Sequence, residues 1–187
     1  EITTNGLHII IKGGADMQGG EIYVPGDFSS AAFFIVAALL IRDSDLTIRG
    51  VGINPTRTGL LDALKKMGAD IEVHNIREVS GEPVADIHCS GGGELNAVTL
   101  TKEEIPSLID EFPILCVAAT QANGITSIKG AKELRVKESD RIKSMATELR
   151  KMGAEIEEFE DGPGQGGVNQ GQPGIDGAAE GAVMIVP

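Results

Sequence analysis

Tryptophan is absent from this 187-residue chain and aromatic residues make up only 3% of it, so any core is aliphatic. Cysteine is equally sparse. Cys89 and Cys116 lie far apart, with no C-x-x-C pair and no histidine ladder beside them, which excludes a disulfide framework and a cysteine-based zinc site; a reducing cytoplasm is the expected compartment. Long apolar runs are missing too. The longest covers 11 residues, 31–41, against the roughly 18 or more that a membrane span needs, so no membrane partner is expected. Bases are outnumbered, 16 against 28 acids, and the net charge of −12 repels a phosphate backbone, so no nucleic-acid partner is expected either. The chain lacks a basic, apolar leader and opens on Glu1-Ile2-Thr3-Thr4, which reads as a short strand ending in a turn of a protein already under way.

What is present is the composition of a globular domain, 41% apolar and 24% charged, long enough for one domain or for two small repeats sharing a core. A repeat is visible. Lys65-Lys66-Met67-Gly68-Ala69-Asp70-Ile71-Glu72 matches Arg150-Lys151-Met152-Gly153-Ala154-Glu155-Ile156-Glu157, and upstream Val36-Ala37-Ala38 matches Val117-Ala118-Ala119 in the same order. Each copy is a unit of roughly 80 residues, longer than a solenoid period. Residues 1–19 read as a strand and linker of a preceding unit, 20–97 as the first unit and 98–187 as the second.

Within the first unit, apolar periodicity predicts a strand at 21–24, a helix at 29–41, a strand at 45–49, a helix at 58–67 closed by Gly68, and a hairpin of 69–75 and 85–89. The order βαβαββ makes the fold α/β. The second unit repeats it at 98–100, 111–121, 124–129, 139–152, 154–160 and 182–186. The first helix of each unit is apolar on every face and the second carries only a stripe, so the first helices are expected inside and the half-wet sheets outside. A Gly, Pro and Gln-rich insertion at 162–181 is expected to be flexible.

Three segments carry chemistry. From Ala131 to Lys143 five bases meet three acids in an otherwise acidic protein; Lys137 and Arg141 stand four apart at a helix start, where unpaired N–H groups favour a compact anion, and Glu138 between them could move a proton. A solvated helix start capped by Ser139 or Asp140 explains the same residues. Asp110 precedes Pro113 at a second helix start, where a carboxylate stays ionised and could take a proton from a bound hydroxyl, or simply caps the helix. Asp27, with Ser29 and Ser30 after it, repeats that arrangement in the first unit. His8, His74 and His88 stand scattered on predicted strands without a second ligand at metal spacing, so no metal site is expected.

Val24-Pro25-Gly26-Asp27-Phe28-Ser29-Ser30-Ala31, Gly52-Ile53-Asn54-Pro55-Thr56-Arg57-Thr58-Gly59, Ile109-Asp110-Glu111 and Arg135-Val136-Lys137-Glu138-Ser139-Asp140-Arg141-Ile142 together resemble the 3-phosphoshikimate 1-carboxyvinyltransferases, or EPSP synthases, from about Leu7 to Asp161. The resemblance implies an inside-out α/β barrel of repeated βαβαββ units with buried helices and outer sheets. It implies transfer of the enolpyruvyl group of phosphoenolpyruvate to the 5-hydroxyl of shikimate 3-phosphate with no metal or organic cofactor.

By the same resemblance Asp110 binds that hydroxyl and is a candidate base, Lys137 contacts the substrate and the proton-transfer centre, Glu138 protonates the phosphoenolpyruvate methylene and Arg141 clamps phosphoenolpyruvate. Glu133 replaces an Asn that contacts a substrate phosphate in many relatives; Asp27 and Asp140 are further candidates. The family's amino-terminal lysine and phosphate-binding serines, its mid-chain arginine and its later Asp-His-Arg and lysine segments have no match. The chain is thus expected to be a central fragment, about half an enzyme, inactive alone and partnered by the missing segments. A non-catalytic anion-binding or structural module of the same fold is the alternative. The sister UDP-N-acetylglucosamine enolpyruvyl transferase is a third reading, disfavoured because its reactive cysteine loop is absent.

Overall fold

The computed structural model describes residues 2–14, 16, 18–159 and 183–186. The insertion expected at 162–181 lies outside the described residues. The chain opens with an antiparallel hairpin, β1 (Ile2–Asn5) and β2 (His8–Ile11), exposed along its whole length, isoleucines included. The strand expected at 21–24 does not form: those residues are exposed and irregular. Gly26 donates to the carbonyl of Gly50 at 2.8 Å and accepts from the N–H of Gly52 at 2.9 Å, and the Tyr23 N–H reaches the Ser80 hydroxyl at 2.9 Å, but these isolated bonds do not make a ladder.

Helix α1 (Phe28–Leu40) follows, and then β3 (Asp45–Gly52), α2 (Gly59–Lys66), β4 (Asp70–Val79) and β5 (Glu82–Ser90). The three strands form an antiparallel sheet in the order β3-β5-β4. Both hairpin strands run further than the sequence pattern suggested, because the reversal is the two-residue turn Ser80-Gly81, with φ of 52° and 82° at the two positions, as a tight hairpin turn requires. Two bulges interrupt the sheet, at Gly50 in β3 and Asn75 in β4, where φ is 69° and 52°. The Asp86 carboxylate between them accepts from the Gly50 N–H at 2.8 Å and the Asn75 side-chain amide at 3.0 Å, which gives the Gly50 donor displaced from the ladder an acceptor.

The second half supplies β6 (Thr99–Leu100), α3 (Phe112–Ala119), β7 (Thr126–Ile128), α4 (Arg141–Lys151), β8 (Glu155–Glu158) and β9 (Val183–Val186). Its strands form a sheet in the order β6-β7-β9-β8, with β6 and β7 parallel and the other pairs antiparallel. The repeated Met-Gly-Ala has a local cause. Gly68 and Gly153 end α2 and α4 at φ of 90° and 100°, and in each case the following alanine N–H returns to the third-last helical carbonyl, Ala69 to Leu64 at 3.0 Å and Ala154 to Leu149 at 3.1 Å. A side chain at either glycine would resist that left-handed stop.

One aliphatic core joins both sheets, from Phe28, Ile35 and Leu64 through Leu108, Phe112 and Leu115 to Ile142 and Ile185. Helix α1 packs on β3, β5 and α3, and α3 packs on α1, α2, α4 and β9, so the apolar helices sit between the other elements. Burial nearly all round holds for α3, where Pro113 and Val117 are half-buried and the rest buried, but not for α1. Phe33 and Phe34 are 56% and 63% exposed, because the neighbours of α1 cover one side of it only. No helix among the described residues is long and apolar enough to cross a membrane.

Candidate active site

Four chain segments converge at the helix starts. Asp140 caps α4 by accepting from the Lys143 N–H at 2.9 Å, which fixes the entry of the Lys137 to Arg141 segment. Its other oxygen takes a bond from Arg135 at 3.2 Å, and Arg135 also reaches Glu158 at 3.4 Å, so the segment is tied back to β8. Asp27 caps α1 in the same way, accepting from the N–H and hydroxyl of Ser30, and these bonds hold its carboxyl below the usual range. Asp27 and Asp140 therefore serve as caps, as the plainer sequence expectation had it.

Arg141 faces the start of α3. Its guanidinium donates to the Ile109 carbonyl at 3.2 Å, to Asp110 Oδ1 at 3.1 Å and to Glu138 Oε2 at 3.3 Å. The other oxygen of Asp110 lies 3.6 Å from Arg57, on the loop before α2. Arg57 in turn donates to the Ser29 hydroxyl at 3.0 Å, and Ser29 donates to Glu111 Oε1 at 2.5 Å. A row of alternating charge, Glu138, Arg141, Asp110, Arg57, Glu111, thus runs across the starts of α4, α3 and α1. Asp110 and the Lys137 to Arg141 segment share one edge.

Asp110 is not the N-cap of α3. That position is Glu111, whose side chain makes no capping bond and turns to Ser29 instead. Glu111 is 2% exposed, and burial, opposed by the Ser29 hydroxyl and Arg57, pushes its carboxyl above the usual range. Glu138 is fully exposed; its own backbone N–H and then Arg141 hold its carboxyl below the usual range. Lys137 and Glu133 are exposed.

Sequence reasoning missed Arg57 and Glu111 as members of this row. The signal for Arg57 was its position, since its loop leads into α2 as the Lys137 segment leads into α4. Glu111 had none, because only the fold shows which of two adjacent acids points inward. A shallow depression of about 410 Å³, lined by Asp27, Gly52, Asn54, Thr56 and Arg57 among others, continues the row beyond α1.

Sequence also scattered the histidines, and here the structure corrects it. Antiparallel register pairs Glu72 with His88, and His74 lies two residues along β4 on the same face, so the His74 and His88 ring centroids are 6.4 Å apart. Their separation along the chain hid a cross-strand cluster.

The family model of EPSP synthase (3-phosphoshikimate 1-carboxyvinyltransferase) matches residues 1–178. A 3-phosphoshikimate 1-carboxyvinyltransferase of Geobacter sp. (strain M21) is 56% identical over 152 residues, 81% of this chain and 35% of its own length. That of Thermodesulfovibrio yellowstonii is 58% identical over 142 residues, 76% of this chain and 33% of its own. An EPSP synthase structure from Acinetobacter baumannii superposes over 99% of this chain and 37% of its own, with a TM-score of 0.80 and 43% identity. The chain spans about a third of the length of the curated relatives it matches, less than the half expected from sequence.

Proposed function

The chain belongs to the EPSP synthase (3-phosphoshikimate 1-carboxyvinyltransferase) family, and from that premise we propose that it forms one wall of the cleft in which phosphoenolpyruvate meets shikimate 3-phosphate. The observation that carries the proposal is the contact of Arg141 with Asp110, which sets a cation for an anionic substrate beside a carboxylate for a hydroxyl. Asp110 accepts the proton of the 5-hydroxyl while the oxygen of that hydroxyl bonds to the central carbon of phosphoenolpyruvate. Glu138 delivers a proton to the methylene, Arg141 holds the phosphoenolpyruvate anion, and Lys137 contacts the sugar-like substrate and the proton-transfer centre. Loss of phosphate and of one methyl proton then restores the vinyl group on the new ether.

Glu138 needs a second wall to act as an acid. Exposed and paired with Arg141 it is held ionised, and only desolvation by a closing partner, together with an anionic substrate competing for Arg141, raises its affinity for a proton. The exposed Phe33 and Phe34 on α1 support the same picture: 20–97 and 98–187 act as two of the units of an inside-out barrel, and a further unit outside this chain covers that face. Alone, the chain binds phosphorylated anions weakly, since each ligand must displace Asp110 and Glu138 from a guanidinium already paired.

The test is complementation. Phosphate release from phosphoenolpyruvate plus shikimate 3-phosphate should be absent with the chain alone, present when the remaining amino- and carboxy-terminal segments are supplied, and lost again in Glu138→Ala and Asp110→Ala. Release by the purified chain alone, or undiminished release by both variants in the mixture, overturns the proposal.

A further inference from the structure

The outer face of the β3-β5-β4 sheet carries a cluster remote in chemistry from the charged row at the helix starts. Glu72, His74 and His88 each present one ligand atom, and these atoms all lie within 4.8 Å of one another. The backbone explains why. Residues two apart on a strand share a face, which puts Glu72 and His74 together on β4, and register sets His88 of the central strand directly opposite Glu72. His74 is then the diagonal neighbour of His88, within reach of a long side chain.

We propose that Glu72, His74 and His88 form a binding site for a divalent transition-metal ion, zinc foremost. Two imidazoles and one carboxylate are the donor set that zinc takes with water in the fourth position, and imidazole selects zinc, copper or nickel over magnesium and calcium. Donors around tetrahedral zinc stand about 3.4 Å apart for bonds of about 2.1 Å, so small side-chain rotations on this solvent-facing surface close the triangle. Glu72 Oε2 already lies 2.8 Å from His74 Nε2, a contact the metal replaces with two bonds to itself.

Asp45 supports the set, its Oδ1 3.1 Å from His88 Nε2, in the manner of a carboxylate that steadies a ligating ring. Asp70, two residues before Glu72 and paired across the sheet with Ser90, adds negative charge on the same face. Asp86 takes no part. Its oxygens are occupied by Gly50 and Asn75, with Arg77 at 3.7 Å. Because the ligands come from β4 and β5, the ion clips two neighbouring strands and favours the folded over the unfolded chain.

The experiment is zinc titration of the chain, freed of any polyhistidine tag, against a chromogenic chelator, with cobalt absorption as a report of coordination and thermal unfolding as a second readout. One zinc per chain is expected, with a melting temperature that rises with zinc. His74→Ala, His88→Ala and the near-isosteric Glu72→Gln should each weaken binding by about tenfold or more, at least what loss of a supporting partner costs a zinc site. His8→Ala removes the remaining histidine, on β2, and should leave affinity unchanged. Circular dichroism of the apo variants verifies that their sheets are intact. Failure of the wild-type chain to compete for zinc, or equal binding by Glu72→Gln and by a folded His74→Ala variant, overturns the site.

Discussion

Arg141 Nη1 lies 3.1 Å from Asp110 Oδ1, across 31 residues of sequence, and holds the start of α4 against the start of α3. The side chains are 24% and 45% exposed, so their attraction is screened and worth about 0–1 kcal/mol to stability. In the completed enzyme, Arg141→Ala should therefore lower phosphate release by about a hundredfold or more, the cost of one lost electrostatic donor, while urea unfolding of the chain moves little. A variant that unfolds readily yet keeps its turnover when stabilised would assign the arginine to the scaffold.

Gly91 sits where the chain leaves β5 beneath the end of α1. A β-carbon there would collide with the carbonyl oxygens of Ile41 and Ala38 and would stand 3.0 Å from the β-carbon of Ser44. Backbone cannot yield as a flexible side chain does, so Gly91→Ala should cost about 1–3 kcal/mol in denaturant unfolding. Gly93 has open space around its position, and Gly93→Ala should stay within about 0.5 kcal/mol of the wild type. Equal stability of the two variants would mean that α1 and β5 separate more easily than their contact implies.

Much of this fold could be read from apolar periodicity, because α1, α3, β3 and β5 each bury enough aliphatic surface for the pattern to dominate. Residues 21–24 failed for a complementary reason: β-propensity without an adjacent strand forms no ladder. The cap at Asp140 and the stops at Gly68 and Gly153 were legible since they depend on a few neighbouring residues. Arg57 with Asp110, and His74 with His88, depend on register and helix docking between distant segments, which local spacing does not encode.

Asp27 gives stability an acid-sensitive component. Hydrogen bonds from the Ser30 hydroxyl and N–H, foremost among its partners, depress its folded pKa below the ordinary 3.8, so its contribution is complete above that value and fades as pH falls through the folded one. Asp27→Ala should cost about 1 kcal/mol at neutral pH, the usual worth of a lost N-cap. Paired urea titrations should show the gap between wild type and variant narrowing under acid. A gap that widens toward low pH would show that the carboxylate does not act as the cap.

Glu111 should behave with the opposite sign. Burial raises its folded pKa above the ordinary 4.5, so the fold prefers the protonated form; the stabilisation is complete below 4.5 and is lost as pH rises through the folded value. Glu111→Gln keeps an oxygen to accept from Ser29 and removes the titration, so its stability advantage over wild type should grow from acid toward neutral pH. Arg57 opposes the burial, and Arg57→Ala should push the Glu111 titration further upward and steepen the wild-type loss. The carboxyl carbon of Glu111, followed by NMR across the same range, measures the pKa directly. Were that pKa to fall below 4.5, with Glu111→Gln losing ground as pH rises, Ser29 and Arg57 would outweigh desolvation and Glu111 would be a stably ionised member of the charged row.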